Sequence, residues 1–512
     1  MTTAMAIENG FAAAPDAVWS KIDGDVVRRV GVVDVGSNSV RLVVFDGVAR
    51  SPAYFYNEKI LCGLGVGLQE TGLLNPDGRT RALAAIRRFA ALARVMQVTV
   101  LTGVATAAVR EADDGKEFCR IVEAETGLSL HVASGDEEAV LAAKGVLLGW
   151  PQATGLVCDI GGASMELARV KGGEIGARGT SPLGPLRLAD LGSVKAMEKW
   201  ISDEIDLLTE TVGRQAPRIY LVGGSWRAIA RLDMERTAYP LKVLHEYRIG
   251  TKQLVKTCDW LADATLDELK DLTDTSEARL ELVPLAARVL RRLVKTVRPE
   301  SLSVSSYGLR EGLLYERMPG SLRARDPLLE AARHMEQSRA RFPGFGASLY
   351  TWLMPLYHDA ELAELRLIRA ACYLHDITWR AHPDYRAEVC FETVTRANLS
   401  GLDHIGRVFL GTVILNRYKS GRSGPMPGVL SLLPEPVLRR AETLGRAIRL
   451  GAMLSGAAPG SLEDTELTVR NGALLLTLRG DARALRGEAV ERRLGALAGR
   501  LGLKAEVRLS AQ

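Results

Sequence analysis

The run Val30-Gly-Val-Val-Asp-Val35 is apolar over the length of a strand and stops at the turn-forming Gly36-Ser-Asn-Ser39. An apolar run bounded in this way predicts a buried strand. Val40 to Asp46 predicts its return partner, ending at Gly47. Leu83, Ile86, Phe89, Ala90 and Ala93 recur at helical spacing and predict a helix over residues 77–96. A strand at Thr99–Val104, a helix over Lys116–Thr126 and a strand near Leu128–Ala133 follow. Strand, strand, helix, strand, helix is the alternation of an α/β layer fold.

The pattern then starts again. Leu156-Val-Cys-Asp-Ile160 runs into Gly161-Gly-Ala-Ser164, and Met165–Val170 returns to Gly172-Gly173. Aligned on Asp34 and Asp159, both copies have Gly two positions on (Gly36, Gly161) and Ser five positions on (Ser39, Ser164). An internal repeat of this kind predicts two related α/β domains facing one another. Seven positions on, the copies differ, with Arg41 in the first and Glu166 in the second. Period-two alternation along a strand points both toward the face of the turn serines.

Arg218-Ile-Tyr-Leu-Val222 is a further buried strand, opening into Gly223-Gly-Ser225 and a helix from Trp226 to Leu232. A strand at Ser301–Ser305 leads into Tyr307-Gly-Leu-Arg310 and another helix, and Met318-Pro-Gly-Ser321 reads as a linker. From Asp326 to about Leu454 the spacing is helical, as in Ala360–Leu374 and Glu435–Met453. After a second linker, Ser455–Gly460, the tail reads as β-β-α-β. The predicted organisation is a leader (1–29), two α/β domains (30–150 and 151–318), a helical domain (326–454) and a small module (461–512).

Composition narrows the partners. A 512-residue chain with 47% hydrophobic and 25% charged residues is globular, which excludes disordered and collagen-like classes. The net charge of +5 is unevenly spread. Residues 321–512 hold 27 basic and 20 acidic side chains, whereas the first 320 residues hold 39 and 41. A basic C-terminal part beside a near-neutral N-terminal part suits a polyanionic partner; arginine-rich solvated helix faces are the alternative. Six scattered cysteines, with no CxxC pair, fit free thiols in a reducing compartment. No apolar run approaches the ~18–20 residues that span a membrane. The leader lacks both a basic and an apolar signal-peptide region, so the expected location is cytoplasmic.

A strand that ends in Gly and small hydroxylated residues presents backbone N–H groups to phosphate oxygens. One such turn is equally a simple hairpin. Here there are three, built from Gly36, Ser37, Asn38 and Ser39, from Gly161, Gly162 and Ser164, and from Gly223, Gly224 and Ser225. Asp34 and Asp159 precede two of them, placed to hold Mg²⁺ between facing phosphate loops.

Five segments in order resemble the Ppx/GppA family of the actin-like ATPase superfamily. They are Asp34-Val-Gly-Ser-Asn-Ser-Val-Arg41, Ala105-Thr-Ala-Ala-Val-Arg110, Ser134-Gly-Asp-Glu-Glu-Ala139, Asp159-Ile-Gly-Gly-Ala-Ser-Met-Glu166 and Gly223-Gly-Ser-Trp-Arg227. The resemblance covers residues 30–318. It implies two actin-like (ribonuclease-H-like) α/β domains, an all-α HD-like domain and a small α+β module. It further implies an exopolyphosphatase that removes terminal orthophosphate from inorganic polyphosphate with Mg²⁺, and with K⁺ as an optional companion. Glu138 and Glu166 match the catalytic glutamates. Asp34, Asp159 and Glu166 match metal positions, and Arg41 and Arg110 join the turns in holding phosphate. Guanosine pentaphosphate (pppGpp) is the alternative substrate of the same site, and a non-catalytic polyphosphate or nucleotide sensor is the alternative of a different class. A homodimer is implied, without a nucleic-acid or membrane partner.

Four points stay open at this stage. Ala163 stands where the family has a third glycine, which costs roughly 1 kcal/mol if that position needs a positive φ. Ser134 and Glu137 form a capping-box pattern, so Glu138 faces either the cleft or solvent. His375-Asp376, with His334, His358, His382 and His404, is either part of an HD metal site or a set of satisfied core side chains. Arg417, Lys419 and Arg422 are expected as a track for the polymer, along with arginines 323, 325, 333, 339 and 341.

Overall fold

The computed structural model describes residues 6–7, 29–419 and 427–510, and the chain divides into two compact units, Met1–Arg325 and Asp326–Gln512. In the first unit the strands cluster into two six-stranded mixed sheets. The first comprises β1 (Ala6–Ile7), β2 (Arg29–Val35), β3 (Ser39–Phe45), β4 (Tyr54–Leu61), β5 (Val98–Ala105) and β6 (Leu130–Val132). Its order is β1-β5-β2-β3-β4, with β6 also on β5. The second sheet comprises β7 (Gly155–Ile160), β8 (Met165–Lys171), β9 (Glu174–Ser181), β10 (Arg218–Gly223), β11 (Arg248–Gly250) and β12 (Ser301–Val304), in the order β11-β12-β10-β7-β8-β9.

The repeat read from the sequence is a structural repeat. β2 and β3 form an antiparallel hairpin in which Asp34 pairs with Arg41, and β7 and β8 form its counterpart, pairing Asp159 with Glu166. Each hairpin then pairs in parallel through its first strand, β2 with β5 and β7 with β10. β4 and β9 are additional edge strands that the apolar pattern leaves unread. Alternating exposure along β4, and solvent along most of β9, dilute the signal of a buried run.

Helices cover the sheets. α1 (Pro76–Val95), α2 (Ala107–Glu111) and α3 (Gly115–Thr126) belong to the first domain. α4 (Gly135–Gly149) leaves β6 and packs against β7, β8 and β9 of the second sheet. α5 (Val194–Val212), α6 (Gly224–Arg236), α7 (Glu277–Leu280) and α8 (Val283–Val297) follow, and α9 (Leu309–Glu316) returns to lie against α4. Glycine permits that approach. A Cβ on Gly312 would lie 1.9 Å from the Leu141 carbonyl oxygen, and one on Gly145 would lie 2.3 Å from that of Gly308. Gly312→Ala is therefore expected to destabilise the chain by about 3 kcal/mol, the upper end for overpacking, because backbone has to move. Denaturant unfolding of the variant against the parent checks this.

The second unit is helical over most of its length, with α10 (Pro327–Arg339), α11 (Leu362–Leu374), α12 (Arg386–Arg396), α13 (His404–Tyr418) and α14 (Glu435–Leu454). It ends in the sheet β13 (Thr465–Arg470), β14 (Ala473–Arg479) and β15 (Lys504–Ser510), with α15 (Glu488–Leu501) between β14 and β15. α15 packs on α14, where Arg500 pairs with the buried Glu442. Among the described residues no helix is long and apolar enough to cross a membrane.

His375 and Asp376 are both 1% exposed just after α11. The His375 Nδ1–H donates to the Cys372 carbonyl at 2.8 Å, and burial pushes its pKa down to about 4, so the ring is neutral. Asp376 accepts two hydrogen bonds from the Arg341 guanidinium, at 2.7 and 2.9 Å, which hold it below the usual carboxylate range against its burial. Among the described residues no three His, Cys, Asp or Glu side chains gather as a metal-ligand group.

The expected polymer track needs correction. Arg417 is 8% exposed, with its guanidinium 4.6 Å from the centre of the Tyr418 ring, so it is not a surface cation. Lys419 pairs with Glu388 at 3.1 Å, and Arg422 lies outside the described residues. Arg333 and Arg341 are likewise paired, with Glu330 and Asp376.

Candidate functional site

The β2–β3 and β7–β8 turns close in the same way, with Gly36 N–H donating to Ser39 O at 3.0 Å and Gly161 N–H to Ser164 O at 2.9 Å. They face each other across a cleft of about 230 Å³. The separation is small, since a Cβ on Gly162 would lie 3.5 Å from that of Ser37. The third turn opens into the same cleft. Gly223 has φ +114° there, and an added Cβ would lie 2.5 Å from the Ile160 carbonyl oxygen. Gly224 begins α6, whose N-terminus adds unpaired N–H groups and a positive dipole end.

The cleft gathers nearly all the residues singled out in the sequence. Gly36, Ser37, Asn38, Ser39 and Arg41 line it from the first domain, and Gly161, Gly162, Ser164, Gly223, Gly224 and Ser225 from the second. Asp34, Glu138, Asp159 and Glu166 supply the carboxylates. Ala163 has no positive φ, so the missing third glycine carries no backbone strain.

The question of Glu137 and Glu138 resolves in favour of both roles. Ser134 and Glu137 form the capping box of α4, with Ser134 N–H donating to Glu137 at 2.7 Å and Glu137 N–H to Ser134 Oγ at 3.2 Å. One residue on, Glu138 turns into the cleft and is 8% exposed. Burial pushes its pKa up to about 7, against the opposing pull of Arg110 and with added repulsion from Asp159 and Asp34. Burial likewise raises Asp159 to about 6. Glu166, 3% exposed and accepting from Thr180 Oγ1 at 3.1 Å, is pushed well up by burial and then by Glu138 and Asp159.

Arg110, expected on phosphate oxygens, is held against the cleft carboxylate Glu138. From the short α2 its guanidinium donates to Glu138 Oε1 at 2.5 Å and to the Ala133 carbonyl at 2.6 Å. It is a positioning residue for Glu138. Arg110→Gln removes the group that holds the carboxyl down, so the acidic limb of the pH–rate profile should move above pH ~7, with Arg110→Lys partly restoring it. An unmoved profile in both variants would remove Arg110 from this role.

Four cations were missed. Arg310 donates to Asp34 Oδ2 at 2.9 Å, and Arg227, Arg279 and Lys59 complete the basic wall of the cleft. Arg227 and Arg310 close the quoted segments Gly223-Gly-Ser-Trp-Arg227 and Tyr307-Gly-Leu-Arg310, a legible signal. Arg279 and Lys59 lie in stretches with no motif.

Two mixed sheets within one compact unit, their paired hairpin turns closing on a carboxylate-lined cleft, define a phosphate-handling protein of actin-like fold. The chain belongs to the Ppx/GppA phosphatase family, whose profile matches residues 43–321. A second profile, "Exopolyphosphatase, C-terminal", matches residues 328–507. The chain is similar to exopolyphosphatase 2 of Mycobacterium tuberculosis, 25% identical over 312 residues, which are 56% of this chain and 98% of that protein. It is also similar to the guanosine-5'-triphosphate,3'-diphosphate pyrophosphatase of Vibrio cholerae, 25% identical over 474 residues, 88% of this chain and 91% of that one. The crystal structure of an exopolyphosphatase from Cytophaga hutchinsonii shares the fold, with a TM-score of 0.51 at 23% identity, covering 56% of this chain and 97% of that one.

Proposed function

We propose that the chain is an exopolyphosphatase that hydrolyses the terminal phosphoanhydride bond of inorganic polyphosphate and releases orthophosphate. The observation that carries this reading is the buried Glu138 carboxyl, raised to about 7, facing two phosphate-binding turns. A carboxylate near neutrality is matched to taking a proton from water at physiological pH.

The carboxylate chemistry also fits Mg²⁺. Glu138, Asp159 and Glu166 are held above their ordinary range by burial and by each other, the state of hard oxygen ligands short of positive charge. Asp159 and Glu166, cross-strand partners, would hold the ion as a pair of carboxylates alongside phosphate and water oxygens, while Asp34 is held by Arg310. When bound, it supplies charge neutralisation for the phosphate oxygens. The protein's own groups do the rest. The turn N–H groups and serines hold the terminal phosphate, and Glu138 accepts the water proton as the water oxygen bonds to phosphorus. The bridging P–O bond breaks, and the shortened chain leaves with the bridging oxygen, its charge met by Arg41, Arg227 and Arg310.

pppGpp hydrolysis uses the same groups and is supported by the Vibrio cholerae relative, which matches 88% of this chain. The HD-like reading of residues 326–454, the dimer, the cytoplasmic location and K⁺ as a companion ion belong to the same proposal. Phosphate release from long polyphosphate, tripolyphosphate and pppGpp, with and without Mg²⁺, tests it. Mg²⁺-dependent release fastest from long polyphosphate is the expected result. Tight binding without release would instead favour a sensor.

A further inference from the structure

The cleft has two ends of opposite charge. Glu138, Asp159 and Glu166 mark one, and Arg41, Arg227, Arg279 and Arg310 the other. Beyond the basic end lies a second cavity of about 540 Å³, lined by the same four arginines together with Arg231. Lys59 lines both cavities. It sits on the edge strand β4, directly across from Arg41 on β3.

Its surroundings are almost wholly cationic. Arg41 faces it from β3, Arg227 from α6, Arg279 from α7 and Arg310 from α9. The nearby acids are committed elsewhere. Asp34 on β2 is held by Arg310, and Glu311 on α9 accepts from the Tyr54 hydroxyl at 3.0 Å and from the Gly308 N–H at 2.8 Å. Asp274, which precedes α7, is the other carboxylate of the second cavity. The Lys59 side chain makes no hydrogen bond or ion pair with any described residue, its pairing with Arg41 being through the β3–β4 ladder. A wall of cations that begins at the hydrolytic end and continues away from it suits a linear polyanion.

We propose that the second cavity is the subsite for the inner phosphates of a polyphosphate chain, and that Lys59 grips them where the two cavities join. This rests on the reading of the cleft as a polyphosphate hydrolase. The reactive terminal phosphate lies at the acidic end, and the chain extends past Arg41 and Lys59 into the chamber.

Proton linkage follows. Burial, then Arg279, Arg41, Arg227 and Arg310, push the Lys59 ammonium down to about 8. An inner phosphate beside it favours the charged form, so binding draws a proton onto Lys59 and affinity falls as pH rises through about 8. At pH 8 the uptake is a fraction of a proton, because part of the free ammonium is then deprotonated.

The test uses the full chain and an edge-strand position outside the hydrophobic core. Steady-state kinetics on long polyphosphate are measured from pH 7 to 9 for the parent, Lys59→Arg and Lys59→Met. Tripolyphosphate binding is measured by calorimetry at pH 8 in two buffers of different ionisation enthalpy, in the Glu138→Gln background with and without Lys59→Arg. Lys59→Met is expected to raise KM about tenfold at pH 7 with kcat within twofold. Lys59→Arg is expected to keep the parental KM at pH 7, to flatten its rise toward pH 9, and to abolish the proton uptake on binding. An unchanged KM in Lys59→Met, or equal proton uptake in both calorimetry proteins, overturns the proposal. If the parent releases no phosphate from any polyphosphate, the hydrolase reading fails by itself, while the calorimetry still decides whether Lys59 is a proton-linked phosphate ligand.

Discussion

Glu138→Gln should lower kcat for phosphate release by about 10²–10⁴-fold, the range for loss of a positioned general base. The amide keeps the shape of the carboxylate and can still meet Arg110 through its oxygen, so polyphosphate KM should change by less than about threefold. The pH profile sharpens the assignment. With the carboxyl raised to about 7, the base is protonated below that value and ionised above it. The parental rate should therefore climb between pH 6 and 8 along a single deprotonation, and the residual rate of Glu138→Gln should lose that limb. Stopped initial-rate assays of orthophosphate across this range measure both. Full activity in Glu138→Gln would end the assignment.

Asp159→Asn should be nearly as damaging for a different reason. Asp159 ends β7 across from Glu166, and the Arg227 and Arg310 guanidinium groups offset only part of its burial. Under the proposed Mg²⁺ role, replacing it with an amide removes one of two anionic oxygen ligands. We expect at least about a hundredfold loss of kcat/KM at fixed Mg²⁺ and a higher Mg²⁺ concentration for half-maximal rate. A Mg²⁺ titration of phosphate release separates this from a folding defect, because added ion should recover part of the activity. A parental Mg²⁺ dependence in the variant would take Asp159 out of the ion site.

Much of this cleft was legible in the sequence because two constraints coincide at the hairpin turns. A buried strand has to stop, and the residues that stop it must leave backbone N–H groups uncovered. Asp34, Gly36 and Ser39 repeat as Asp159, Gly161 and Ser164 for that reason, and the hairpin register pairs each aspartate with the residue seven positions on. The capping box of α4 was equally local. Long-range placement was not. Nothing near Arg110 indicates that it reaches Glu138 across 28 residues of sequence. Arg279 and Lys59 enter the cleft from a short helix and an edge strand whose own patterns are plain. Arg417 failed as a surface cation because the packing of α13, invisible in composition, buries its guanidinium against Tyr418. Ala163 looked strained only under the assumption of a positive φ, which the turn does not need.

In the proposed reaction, water activated in this cleft attacks the terminal phosphorus of a polyphosphate chain. The most direct measurement is hydrolysis of long polyphosphate in ¹⁸O-enriched water with Mg²⁺, with the orthophosphate analysed by mass and the remaining chain by length. One ¹⁸O atom per orthophosphate released is expected, with the chain shortening from its end. Unlabelled orthophosphate, mid-length fragments, or no release at all would contradict it.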